Sequence, residues 1–159
     1  MESYLCSAEK YDSELNCWTV LNGQLNQGRN GFTPFEYAEK IYCVGRWDSV
    51  EVLDPVSDLF TRLHVHLPSG DYWGLSVVVE SCMIVVRGNR ILQYDLESWT
   101  VVRECAMQTT FHGLWSNCPP VRHGSCFYSV LNGNPQEGIL KLDVERLAVE
   151  VAVGFLHGY

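Results

Sequence analysis

Four stretches of this chain repeat one another, and that repetition limits what the chain can fold into. Each is a strand ending in Asp, a tight turn, and a second strand. Ser49–Leu53 leads through Asp54-Pro55 into Leu59–His64, and Ser7–Tyr11 leads through Asp12 into Cys17–Leu21. Ile91–Tyr94 leads through Asp95 into Trp99–Val102, and Ile139–Leu142 leads through Asp143 into Leu147–Val151. The turn aspartates stand at 12, 54, 95 and 143, in steps of 42, 41 and 48 residues. A period of about 40–50 residues with several strands per unit marks a chain built of propeller blades. Asp suits the turn because its carboxylate accepts from backbone N–H groups just ahead of it.

The expected fold is therefore all-β: a partial β-propeller with about three complete four-stranded antiparallel blades and the last two strands of another. The expected segment is single and runs over 1–159, with a half blade at 1–21 and blades at 31–64, 73–104 and 113–151. Within them strands are expected at Ser3–Tyr11 and Cys17–Leu21, and at Gly31–Tyr37, Lys40–Gly45, Ser49–Leu53 and Leu59–His64. The next set is Trp73–Val79, Cys82–Val86, Ile91–Tyr94 and Trp99–Glu104. The last is Val121–Ser125, Cys126–Leu131, Gly138–Leu142 and Leu147–Val151, with Gly113–Asn117 as an alternative inner strand. Lys40–Gly45 is nearly continuous in apolar residues, as expected of a strand covered on both faces. Gly88-Asn89 is expected to supply positive φ to a hairpin turn, and Asn132-Gly133-Asn134-Pro135 marks another. The Asp turns divide into two classes, Asp-x₅-aromatic (Asp12 to Trp18, Asp54 to Phe60) and Asp-x-Glu-x-apolar (Asp95 to Trp99, Asp143 to Leu147). The Trp, Phe or Leu that follows is expected to pack between blades.

Charge narrows the partners. With 19 acidic against 11 basic residues the net charge is −8, which opposes sequence-independent binding to phosphate backbones; no nucleic acid is expected. No apolar run reaches the roughly 18 residues of a membrane span, and the N-terminus shows no secretory pattern. The seven cysteines lack any C-x₂-C spacing, so reduced thiols in a cytoplasmic protein are expected, with Cys43 and Cys82 as small buried hydrophobes.

The natural binding set is the polar and aromatic residues of the connectors, which propellers gather around one end. These are Arg29, Arg46, Trp47, Asp71, Tyr72, Arg87, Arg90, Trp115 and Arg122. Arg, Trp and Tyr are the types that dominate interface energetics. The competing reading packs Trp47 and Trp115 between blades and leaves the arginines solvated or paired with loop acids. His64 and His66 share a strand face as half of a zinc site would, but no third ligand accompanies them. His112, His123 and Cys118 lie in the third connector with nothing to orient a thiolate pair. No phosphate loop, nucleophile elbow or HExxH motif is present, so no catalytic residue, cofactor or metal is expected.

The repeats resemble kelch repeats. The family's unit has an apolar strand ending in Gly-Gly, a strand ending in Tyr-Asp, and a Trp about six residues on. Lys40–Gly45 followed by Ser49–Pro55 and Phe60 is similar to it, as is Ser7–Asp12 with Trp18. Gly28-Arg29 and Val121-Arg122-His123-Gly124 resemble the family's Arg ahead of the inner strand. Each glycine doublet is here reduced to one, Phe60 and Leu147 stand for Trp, and Leu53 and Leu142 for Tyr. The resemblance implies a protein-interaction module, the substrate-recognition part of a BTB-kelch ubiquitin-ligase adaptor. The alternatives are a metal-binding or catalytic propeller of the galactose-oxidase class, whose copper is held by Tyr and His, and a structural fragment completed by another chain. Open blade edges also imply self-association.

Overall fold

The computed structural model describes residues 5–26, 32–45, 50–65, 67, 75–107, 120–130 and 138–152. They form two compact units, residues 1–69 and 70–159. In the first unit β1 (Glu9–Asp12) pairs with β2 (Cys17–Val20) as a two-stranded sheet. A four-stranded meander follows, made of β3 (Phe32–Tyr37), β4 (Lys40–Gly45), β5 (Val50–Asp54) and β6 (Leu59–Leu63). The second unit holds two more such meanders. One is β7 (Ser76–Val79), β8 (Cys82–Arg87), β9 (Arg90–Asp95) and β10 (Val101–Ala106). The other is β11 (Val121–His123), β12 (Cys126–Val130), β13 (Ile139–Asp143) and β14 (Ala148–Ala152). Every pairing is antiparallel between consecutive strands, so each four-stranded sheet is one blade.

The four Asp turns, expected in two classes, have one geometry. The carboxylate of Asp12 accepts from the N–H groups of Glu14 and Leu15, that of Asp54 from Val56 and Ser57, and that of Asp143 from Glu145 and Arg146. Asp95 accepts from the N–H and hydroxyl of Ser98. Four residues after each Asp the backbone turns left-handed: Asn16 at φ 51°, Asp58 at 57°, Trp99 at 55° and Leu147 at 52°. Spacing to the next aromatic suggested two classes because Asn and Asp fill the left-handed site in the first unit and Trp and Leu fill it in the second. Trp99 and Leu147, expected to open strands, instead close the turns. At Gly88-Asn89 only Gly88 takes positive φ, at 55°.

Other expectations shift by smaller amounts. The strand expected from Ser3 begins at Glu9, and the inner strand of the last blade stops at His123, where Gly124-Ser125 turns. The alternative strand at 113–117 and the Asn132–Pro135 turn lie outside the described residues. β8 is buried along both faces from Met83 to Val86, and β5 from Val50 to Val52, whereas β4 buries Cys43 and Val44 and leaves Ile41 and Tyr42 half-covered. Cys82 is half-buried rather than buried. Trp18, expected between blades, is 67% exposed and packs on Tyr11 with ring centroids 5.2 Å apart.

The core of the second unit joins its two sheets. Leu75, Val77, Ile84, Val86 and Ile91 meet Phe127, Leu140, Leu142 and Leu147. Burying each such side chain contributes about 1.5–3 kcal/mol. In the first unit Leu21, Leu25, Val44, Val50 and Val52 are buried. Asp58 fastens the two-stranded sheet to its neighbour: its carbonyl accepts the Gly23 N–H at 3.0 Å, and its carboxylate accepts Lys10 Nζ at 3.0 Å. Gly23 lies so close that an added Cβ would stand 2.6 Å from the Asp58 carbonyl oxygen, so only glycine fits. Pro34 sits on β3, an edge strand, where its missing N–H is tolerated.

Candidate interaction surfaces

In a four-stranded meander the turns after the first and third strands lie at one end of the sheet, and the turn after the second lies at the other. The second unit carries candidate residues at both ends. At the second-turn end, Arg87 and Arg90 flank Gly88-Asn89 as the last pair of the β8–β9 register. Met107, where the chain leaves β10 for the next sheet, donates its N–H to the Asn89 carbonyl at 2.7 Å and fixes the turn. Arg90 reaches Glu104 across β9 and β10 at 2.9 Å. Both side chains are exposed, so that pair adds little stability and remains open to exchange with an outside carboxylate. Tyr94, 1% exposed, lies inward on β9. Burial raises its phenol pKa, Arg87 opposes that rise, and Glu104 adds to it.

Arg122 stands at the opposite end. Its Nε donates to the Gly124 carbonyl at 3.1 Å, and its guanidinium lies 5.7 Å from the centre of the Phe127 ring. It borders a cleft of about 380 Å³ whose lining includes Glu80, Cys82, Gln93, Ile84 and Glu145. The cleft opens among the β7–β8, β11–β12 and β13–β14 turns. The expected gathering of connector residues at one end therefore separates here, with Arg87 and Arg90 together and Arg122 apart. Arg29, Arg46, Trp47, Asp71, Tyr72 and Trp115 lie outside the described residues.

Neither described histidine belongs to a cluster of metal-binding side chains. His64, just past β6, and His123, at the end of β11, are both exposed; His66, His112 and Cys118 lie outside the described residues. Among the described residues no three His, Cys, Asp or Glu side chains gather as a metal-binding group. No helix of the described residues is long and apolar enough to cross a membrane.

Sequence reasoning passed over one polar centre. Glu51, in the middle of the β3–β6 sheet, is fully buried, and its Oε2 accepts from the Asn26 backbone N–H at 2.7 Å and from Asn26 Nδ2 at 3.0 Å. It thereby anchors the connector between the first two sheets. The only signal was a Glu between Val50 and Val52 in an apolar strand, which alternation assigns to the solvent face.

No protein-family model matches the chain, and no curated protein matches it. Among solved structures, the crystal structure of Citrobacter koseri AztD is similar, with a TM-score of 0.51 at 14% identity. The likeness covers 92% of this chain and 42% of that one, so the chain spans less than half the length of that structure. At that identity the likeness speaks for the fold alone. The fold is all-β and propeller-like.

Proposed function

We propose that this chain is a kelch-type protein-interaction segment that recognises a partner through the turns at the ends of its blades. The reading rests chiefly on Arg87 and Arg90, two arginines held on a tight turn that Met107 fixes from behind. Arginines on a rigid turn suit an acidic segment of a partner protein, since a guanidinium meets a carboxylate with two hydrogen bonds. The kelch resemblance extends the reading to substrate contacts within a cytoplasmic BTB-kelch ubiquitin-ligase adaptor. A charge-reversed chain tests it. Proteins crosslinked to the chain in cells are quantified for the unaltered chain, for Arg87→Glu/Arg90→Glu, and for Arg122→Glu at the opposite end. The reading expects a partner lost from the double variant and kept by Arg122→Glu, with melting unchanged in both. No such partner, or equal loss from both variants, overturns it. Stoichiometric copper or zinc in the purified protein would favour the metal-binding reading instead.

A second reading, a propeller segment completed by another polypeptide, is favoured by one observation. Among the described residues one sheet has two strands where the other three have four.

A further inference from the structure

The cleft beside Arg122 lies where the core between the two sheets of the second unit ends. Ile84, Val86 and Ile91 of β8 and β9 pack there on Phe127, Leu140 and Leu142. Alternation places Cys82 on the same sheet face as Ile84, and Gln93, opposite Ile84 in the register, on that face with Ile91. Toward the β7–β8 turn the buried apolar face thus passes into two half-buried polar side chains, and both line the cleft. Its volume of about 380 Å³ is at the small end of ligand pockets, which span about 300–1,000 Å³. The opposite wall is held in place. Arg103, next to Gln93 in the sheet, donates to the Glu145 and Arg146 carbonyls at 3.3 and 3.4 Å, and the Asp143 carboxylate accepts the Glu145 N–H.

The charged groups around this cleft do not satisfy one another. Glu80 enters from the β7–β8 turn, where its backbone is left-handed at φ 54°, and Glu145 enters from the β13–β14 turn. Among the described residues neither carboxylate forms an ion pair or hydrogen bond, and no ion pair joins either to Arg122. Arg122 is fixed from behind: its Nε donates to the Gly124 carbonyl, and the Phe127 ring lies 5.7 Å from its guanidinium carbon. Its two Nη groups carry no hydrogen bond, so the edge that meets a carboxylate in a two-bond fork is free. The Gln93 amide is likewise without a partner and offers both a donor and an acceptor. Val79, Ile84 and Val144 supply apolar lining between these groups.

We infer that this cleft is a binding site for a small zwitterion, a free α-amino acid with an aliphatic side chain. Its ammonium group meets the carboxylates of Glu80 and Glu145, its carboxylate meets the Nη groups of Arg122, and its side chain lies against Val79, Ile84 and Val144. A purely anionic ligand would face two uncompensated carboxylates. A purely cationic one, such as a lysine side chain of a partner protein, would leave Arg122 unanswered and repelled. A ligand with both charges answers all three groups, and the volume of the cleft keeps it small. The site is separate from the Arg87–Arg90 turn, which lies at the other end of the β7–β10 sheet, and does not depend on the partner proposed for that turn.

The test titrates the full chain with three probes and follows binding by calorimetry. They are L-leucine, 4-methylpentanoate (leucine without its ammonium group) and isoamylamine (leucine without its carboxylate). Saturable binding of L-leucine is expected, weakened about tenfold or more by loss of either charge. In Arg122→Gln, leucine should lose its advantage over isoamylamine. In Glu80→Gln/Glu145→Gln it should lose its advantage over 4-methylpentanoate. Glu80 and Glu145 are exposed and their side chains hold no partner, so their variant should melt as the unaltered chain does. It decides the matter even if Arg122→Gln melts lower through loss of the Gly124 contact. No saturable binding of leucine up to about 10 mM overturns the site. So does an advantage of leucine over 4-methylpentanoate that Glu80→Gln/Glu145→Gln leaves unchanged.

Discussion

Leu147 combines two conditions that seldom coincide: it is buried in the core of the second unit at 3% exposure, and its backbone is left-handed at φ 52°. Truncation to Ala removes the packing with Leu140, Leu142 and Phe127 and keeps the unfavourable backbone, at about 2–5 kcal/mol. Truncation to Gly removes the same packing but relieves a left-handed conformation that costs an L-residue about 1–2 kcal/mol. Glycine's greater loss of chain entropy returns about 0.5–1 kcal/mol. Leu147→Gly should therefore be more stable than Leu147→Ala by about 0.5–1 kcal/mol, although it removes one more carbon. At Val149, two residues on in β14, the order should reverse. Urea unfolding with unchanged m-values gives the comparison through the midpoints. If Leu147→Gly unfolds at lower urea than Leu147→Ala, the common left-handed turn is wrong.

Three further outcomes follow from the same geometry. Gly23→Ala drives a Cβ into the Asp58–Leu59 backbone and should destabilise the first unit by about 1–3 kcal/mol, seen as a lower urea midpoint. Glu51→Ala strands the Asn26 N–H and should cost about 1–3 kcal/mol, whereas Glu51→Gln keeps an acceptor and should cost less; equal midpoints would contradict the anchor. Backbone N–H groups of Val56 and Ser57 hold the Asp54 carboxyl below its ordinary pKa, and the N–H and hydroxyl of Ser98 do so for Asp95. A pKa lowered in the folded state gives stability that is present above the unfolded value and is lost as pH falls through the folded one. Asp54→Asn/Asp95→Asn should thus flatten the decline of melting temperature below the ordinary carboxylate range, and an unchanged slope would refute the turn's role.

The blades were legible because two strong signals agree. Asp recurs at a fixed period, and each recurrence ends an alternating strand. Most strand bounds then follow within one to three residues, as Lys40–Gly45 does without any shift. What escaped depends on contacts between distant segments. Leu147 and Trp99 look like strand residues because they are apolar, and only the hydrogen bonds of the preceding Asp reveal the left-handed site. Glu51 looks solvent-facing because alternation carries no knowledge that Asn26 covers it. The candidate arginines were chosen by residue type, which does not record the end of a sheet, so Arg122 was grouped with Arg87 and Arg90 although the turns send it to the opposite end.

Amide hydrogen exchange resolved by residue on the chain alone tests the repeating blade most directly. Leu96 donates to the Ser81 carbonyl and Val144 to that of Ser125, so alternation turns the N–H groups of Leu92 and Tyr94 toward β8 and those of Leu140 and Leu142 toward β12. The repeat therefore predicts slow exchange at all four. Fast exchange at these positions would mean that they do not meet a second strand, and would contradict the account.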